Sequence, residues 1–140
     1  MKAPAACPTL AAYTETMPCR PESARKARVL IARALSAWDL DGLTDSAKLV
    51  VSELVGNAAR HTRCHSIRVT ISRLDTDCVR IAVIDKSAKK AVPRVAPAGG
   101  EGGRGLAVVA RLSEDTGTDP FSWGKRVWAQ LRLPNSNVPS

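Results

Sequence analysis

The sequence predicts an α/β two-layer sandwich, with helices on one face of a mixed, largely antiparallel sheet. Three observations predict it. Apolar residues recur at helical spacing from about residue 21 to 61 and alternate with polar ones from 67 to 84. They alternate again from 126 to 133, after an aperiodic stretch rich in glycine and proline.

Residues 1–18 read as a loose or strand-like entry segment ending at Met17-Pro18. Pro21-Glu22-Ser23 opens a helix, since Pro and Glu both suit a first turn. Ala27, Leu30, Ile31, Ala34 and Leu35 carry its apolar face as far as Trp38. Asp39-Leu40-Asp41-Gly42 is a break, after which Thr44 or Asp45 is placed to cap a second helix. Ala47, Val50, Val51, Leu54, Val55 and Ala58 carry that helix to about His61.

The period then changes. Ile67, Val69 and Ile71 alternate with Arg68, Thr70 and Ser72, and Val79, Ile81 and Val83 alternate in the same way up to Asp85. The short turn Asp75-Thr76-Asp77 between them predicts an antiparallel hairpin. Residues 86–103, KSAKKAVPRVAPAGGEGG, have no period and read as a long loop, which inside a compact domain is usually functional or disordered. Gly105–Leu112 reads as a short helix, and Val127, Ala129, Leu131 and Leu133 mark a last strand. The tail PNSNVPS is expected to be disordered. The chain therefore divides into an entry segment 1–18, one domain 19–134 and a tail 135–140, with no internal repeat.

With 140 residues, 44% of them apolar, the chain can bury a real core. Aromatics are 4%, so Val, Leu, Ile and Ala must build it. No apolar run is long enough to cross a bilayer. Pro4 and Pro8 interrupt the start, which does not read as a signal peptide, and a cytoplasmic location is expected. Cys7, Cys19, Cys64 and Cys78 form no CxxC pair and are expected to be free thiols. His61, Cys64 and His65, with Cys78 as a fourth ligand, raise a zinc site, but their spacing matches no standard pattern. A charge of +8, from 21 basic and 13 acidic residues, suits nucleotides, nucleic acid or an acidic protein. The basic residues are scattered, so a dedicated DNA-reading surface is not expected.

The stretch SELVGNAARHT places Glu53 and Asn57 one helical turn apart, pointing the same way. They form either a solvated edge or the polar floor of a pocket. Gly100-Glu101-Gly102-Gly103-Arg104-Gly105 formally matches GxGxxG, but no buried strand precedes it and no GK[ST] follows. That argues against Rossmann and Walker sites. Glycines entering a helix start still leave outward N–H groups, which is either a phosphate cradle or a surface loop. Asp85, at a strand end, is either a turn residue or an acceptor for the exocyclic amine of a base.

Taken in order, these segments resemble the GHKL superfamily of ATPases, the Bergerat fold of histidine kinases, gyrase-type topoisomerases and anti-sigma-factor serine kinases. The small stand-alone anti-sigma-factor branch is the most similar. SELVGNAARHT resembles its N box, AVIDKS the first glycine box, GGRGLAVV the second, and WGKRVWAQLRL the closing strand. The resemblance covers about residues 20–134 and rests on the ordered combination. It implies ATP and Mg²⁺ as cofactors, with Asn57 binding the metal and Glu53 acting as general base. It implies further that Asp85 binds the adenine amine, that Gly103, Arg104 and Gly105 lie against the triphosphate, and that Lys125 lies near the phosphates. The segment 86–103 would be a lid ordered by nucleotide. The first box departs from Asp-x-Gly-x-Gly, reading Asp85-Lys86-Ser87-Ala88-Lys89. The implied function is a serine/threonine kinase acting on an antagonist protein and sequestering a sigma factor. Its partners are that sigma factor or an anti-anti-sigma protein, with no membrane, and exposed helix faces would permit a homodimer. The alternatives are a non-enzymatic nucleotide-dependent binding module and a small basic DNA-binding regulator.

Overall fold

A five-stranded sheet backs three α-helices. A computed structural model describes residues 9–61, 65–86 and 101–134, and of His61 and residues 101–105 the backbone alone. The elements in chain order are β1 (Ala11–Pro18), α1 (Ser23–Ala37), α2 (Thr44–His61), β2 (Ser66–Asp75), β3 (Cys78–Lys86), α3 (Glu101–Leu112), β4 (Asp115–Phe121) and β5 (Gly124–Arg132). The spatial order is β1-β2-β3-β5-β4, and all four pairings are antiparallel.

Strand alternation decides which face meets the helices. Ile67, Val69 and Ile71 of β2, Val79, Ile81 and Val83 of β3, and Ala129 and Leu131 of β5 are buried at 1% exposure or less. They pack against Ala27, Ile31, Ala34 and Leu35 of α1 and Val50, Val51, Leu54, Val55 and Ala58 of α2. The opposite face carries half-buried or exposed polar residues such as Arg68, Ser72, Arg80 and Gln130. The Arg80 guanidinium lies 4.4 Å above the Trp128 ring there.

The β2–β3 hairpin and both long helices lie where the periodicity put them. Other features differ, although the strand-like reading of the entry segment holds: residues 11–18 form an eight-residue edge strand, paired with β2 from Ala11↔Arg73 to Pro18↔Ser66. Its end is tied to α1 by Ser23 Oγ, which donates to the Pro18 carbonyl at 2.6 Å. Thr44 is not an N-cap. A single 3₁₀ turn, Asp41–Leu43, runs straight into α2 with Thr44 already helical at φ −58°, ψ −48°. The break before it uses Asp39 in the left-handed region, φ 57°, where a short polar side chain is tolerated.

β4, DTGTDPF, has no counterpart in the sequence reading. It pairs with β5 from Asp115↔Gln130 to Phe121↔Gly124 at the free edge of the sheet, where Pro120 is tolerated. Gly117 lies under the Trp128 ring, and a Cβ there would collide with it. α3 starts at Glu101, so Gly102, Gly103 and Gly105 are helical and not part of a loop leading to a helix. Of the expected lid, Lys86 ends β3 and 101–103 belong to α3. Residues 87–100 lie outside the described residues, as do the tail 135–140 and residues 1–8 of the entry segment. Cys19 is disulfide-bonded, which corrects its reading as a free thiol. Cys78 is free and buried.

Candidate functional site

α2 buries one stripe and exposes another. With about 100° between successive residues, Val50, Leu54 and Ala58 point into the core, and Glu53 and Asn57 share one neighbouring flank. Both are half-buried. The other flank is taken by α1, where Arg28 Nη1 donates to Ser52 Oγ at 3.0 Å. Glu53 and Asn57 are therefore turned away from α1, on the side where Leu54 meets α3.

Asp85 is next to last in β3 and follows Ile81 and Val83 on the helix-facing side of the sheet. Only 2% of it is exposed. A buried carboxylate is costly unless cations or hydrogen bonds compensate it. Lys125 supplies one compensating charge. In the β3–β5 register Asp85 stands opposite Lys125, whose Nζ lies 3.9 Å from Asp85 Oδ2. The lysine side chain is 25% exposed, so the pair is open to solvent at one end. Gly124 allows the strands to approach here, because a Cβ on it would overlap the Asp85 carbonyl oxygen.

Further along β5 from the pair, a cavity of about 140 Å³ is lined by Leu54, Leu106, Val109, Thr116, Thr118 and Val127, among others, and by neither Asp85 nor Lys125. Val127 is two residues beyond Lys125 on the same face of β5, about 7 Å along the strand. Engineered apolar cavities of ~150 Å³ accept one six-membered aromatic ring, so the volume matches part of a base. Among the described side chains of α3, Val109 is buried in the core at 2% exposure, whereas Leu106 and Val108 are exposed at 43% and 36%. Gly103 and Arg104 lie in the first turn of α3, where N–H groups have no partner within the helix, whereas Gly105 is the fifth residue and its N–H falls to the Glu101 carbonyl.

The zinc reading loses its fourth ligand. Cys78 faces Asp75 at the far end of β2 from His65, ten residues or about 30 Å away at ~3.3 Å per residue. Cys64 and the His61 side chain lie outside the described residues. Among the described residues no metal-binding group of His, Cys, Asp or Glu gathers. The charge cluster at that far end is structural. Arg132 donates to Glu114 at 2.9 Å and to Asp77 at 2.7 Å. The Arg132 and Gln130 donors hold the Glu114 carboxyl below the usual carboxylate range. Burial pushes the Cys78 thiol up to about 11.

Sequence spacing could not show the Asp85–Lys125 pair, because the residues are forty apart and only the strand register joins them. β4, which supplies Thr116 and Thr118 to the cavity wall, was missed for want of alternation.

A helix layer over an antiparallel sheet, with a buried acceptor next to an apolar cavity, defines a small-molecule-binding α/β domain. The sequence model of the histidine kinase-like ATPase domain matches residues 17–130, and the chain belongs to that family. A search of individually curated proteins finds none that matches. An ATPase domain implies ATP as its ligand, and the residues present fit it. A carboxylate at 2% exposure ends β3, and Val127, two residues along the facing strand from its partner Lys125, walls an apolar cavity of about 140 Å³. Among the described residues no helix is long and apolar enough to cross a membrane.

Proposed function

We propose that the chain is a cytoplasmic ATP-dependent regulator that phosphorylates a seryl or threonyl hydroxyl of an antagonist protein and holds a sigma factor. The observation that carries the reading is Asp85, buried at the end of β3, with Glu53 and Asn57 on the flank of α2 turned toward α3 and an apolar cavity walled by Leu54, Val109 and Val127 between the same elements. Asp85 accepts a hydrogen bond from the adenine amine, and Leu54, Val109 and Val127 enclose the ring. Asn57 contributes an oxygen ligand to Mg²⁺, an ion that takes few protein ligands and completes its shell with phosphates and water. The backbone N–H groups at the start of α3 face the phosphates. ATP supplies the γ-phosphoryl group that the hydroxyl oxygen attacks as the bond to ADP breaks. Glu53 takes the hydroxyl proton as the new bond from that oxygen to the γ-phosphorus forms.

The test is calorimetric titration with ATP and Mg²⁺ beside a phosphotransfer assay on candidate antagonists. Glu53→Gln is expected to keep ATP affinity within a few fold and to slow transfer by about 10²–10⁴. Collapse of ATP binding in that variant would remove Glu53 from the role of base. Saturable ATP binding by the wild type with no transfer to any partner would replace the kinase by a nucleotide-dependent binding module. Binding that falls steeply with salt and needs DNA would favour the basic DNA-binding reading.

A further inference from the structure

The face of the sheet that carries no helices has a cavity of its own. Strand register sets Thr16, Arg68, Ile84, Arg126 and Asp119 in one row across all five strands. Arg68 lies between the buried Ile67 and Val69, and Ile84 between the buried Val83 and Asp85, so the row points away from the helices. Lys86 ends β3 on the same side, and the turn from β4 to β5 brings Trp123 there. Thr16, Ser66, Arg68, Ile84, Lys86 and Trp123, among others, line a cavity of about 70 Å³. Ile84 and the indole give it apolar walls, and two hydroxyls and two cations give it a polar rim.

The charges around it are unevenly matched. Arg126 donates to Asp119 at 2.7 Å, Arg132 is held by Glu114 and Asp77, and Arg80 lies over the Trp128 ring. Arg68 and Lys86 are exposed, and among the described residues neither forms an ion pair. Beside them Phe121 and Trp123 stack at 4.8 Å while 37% and 47% exposed. An apolar hollow with exposed aromatics and a charged rim is the make-up of a protein-docking patch.

We propose that this face docks an extended, acidic protein segment, with one aliphatic side chain in the cavity and carboxylates on Arg68 and Lys86. The volume is roughly half the ~150 Å³ that admits one six-membered ring, so it suits a branched aliphatic side chain and not a base. Alternate residues of an extended segment point the same way about 7 Å apart, so a carboxylate two residues from the anchor on either side comes within reach of the long Arg68 and Lys86 side chains. A second copy of the chain is a poor occupant, because a two-fold contact would set this cationic patch against itself. The cavity between α2, α3 and β5 is a separate one, so the inference does not rest on the nucleotide reading.

The experiment titrates the full chain, without nucleotide, with the capped peptide Asp-Glu-Leu-Glu-Asp and follows N–H signals by NMR. Trp123→Phe assigns the Trp123 indole signal by its loss. Saturable shifts of that indole and of the Arg68, Ile84 and Lys86 amides are expected. The neutral peptide Asn-Gln-Leu-Gln-Asn should bind wild type about tenfold more weakly, at about threefold for each exposed charge pair. A chain carrying Arg68→Gln and Lys86→Gln should lose the acidic peptide by the same factor, and Lys86→Gln alone by about threefold. The neutral-peptide arm uses wild type, so it stands whether or not the variants fold. No shift of the indole at millimolar acidic peptide, or equal affinity for the neutral one, overturns the proposal. A thymidine oligonucleotide that shifts the same signals at lower concentration than the peptide overturns it in favour of single-stranded nucleic acid. A dimer in sedimentation that Arg68→Glu dissociates overturns it in favour of a second copy.

Discussion

Gly124→Ala is expected to weaken both the fold and the site, and the structure sets the sign. No left-handed φ is required at Gly124. An alanine in a compatible conformation ordinarily stabilises by about 0.4–1 kcal/mol, because it restricts the unfolded chain. Here the added Cβ would overlap the Asp85 carbonyl oxygen and lie 3.0 Å from its carbon and 3.1 Å from the Lys86 Cα. All three neighbours are backbone of a paired strand, so the collision is relieved by parting β3 from β5. Overpacking of this kind costs about 1–3 kcal/mol, which outweighs the gain and leaves a net loss of about 1–2 kcal/mol. For a domain of this size that lowers Tm by roughly 4–8 °C. Gly42→Ala is the internal comparison. Its Cβ would come 2.7 Å from Leu133 Cδ1, the far end of a flexible side chain that can turn aside. Its Tm is expected to fall by less than half as much. Differential scanning calorimetry and ATP titration read both effects, and only Gly124→Ala should weaken ATP binding. A Gly124→Ala protein with wild-type Tm and affinity would refute the reasoning, as would a Gly42→Ala protein that loses as much.

Further outcomes follow from the same geometry. Asp85→Asn is expected to weaken ATP binding about tenfold or more while the protein still melts cooperatively, since the amide keeps the shape and loses the charge; titration and calorimetry check this. Leu54→Ala removes a core side chain that also walls the cavity, and should cost about 2–5 kcal/mol in urea unfolding. Cys78, 1% exposed with its thiol pushed up to about 11, should resist iodoacetamide at pH 8 in the native state and react on unfolding. Its folded pKa lies above the unfolded value, so its contribution is full below the unfolded value and is lost as pH rises toward 11. The depressed Glu114 carboxyl works the other way: its contribution is present above the ordinary carboxylate range and is lost as pH falls through its folded pKa. Arg132→Gln should flatten that acid limb of the stability profile.

Elements whose own side chains decide their state were legible in the sequence. β2 and β3 alternate Ile and Val with polar residues, and the core stripe of α2 repeats every three or four positions, so burial leaves its period in the chain. β4 leaves none, because what holds it is external. It fills the free edge of β5, and the Trp128 ring lies across its glycine. The start of α3 was drawn too late because three glycines weigh against helix locally, whereas in the fold Glu101 begins the helix. At the site, Glu53, Asn57 and Asp85 were legible as polar residues placed against an apolar period. The lysine opposite Asp85 was not, because cross-strand neighbours depend on register, which no local pattern encodes.

α2 has a consequence for how the site can report its occupancy. Glu53 and Asn57 are spaced among Val50, Val51, Leu54, Val55 and Ala58, none of them more than 3% exposed. Such a helix opens only when the whole domain does, and its amide protons should exchange with solvent at the global unfolding rate. α3 is anchored in the core by Val109, with Leu106 and Val108 turned to solvent, so its amides should exchange sooner. The two walls of one pocket thus keep different clocks. A ligand touching both slows exchange in each, because it also raises the free energy of global unfolding, but only the faster amides of α3 show the change within a short exchange time.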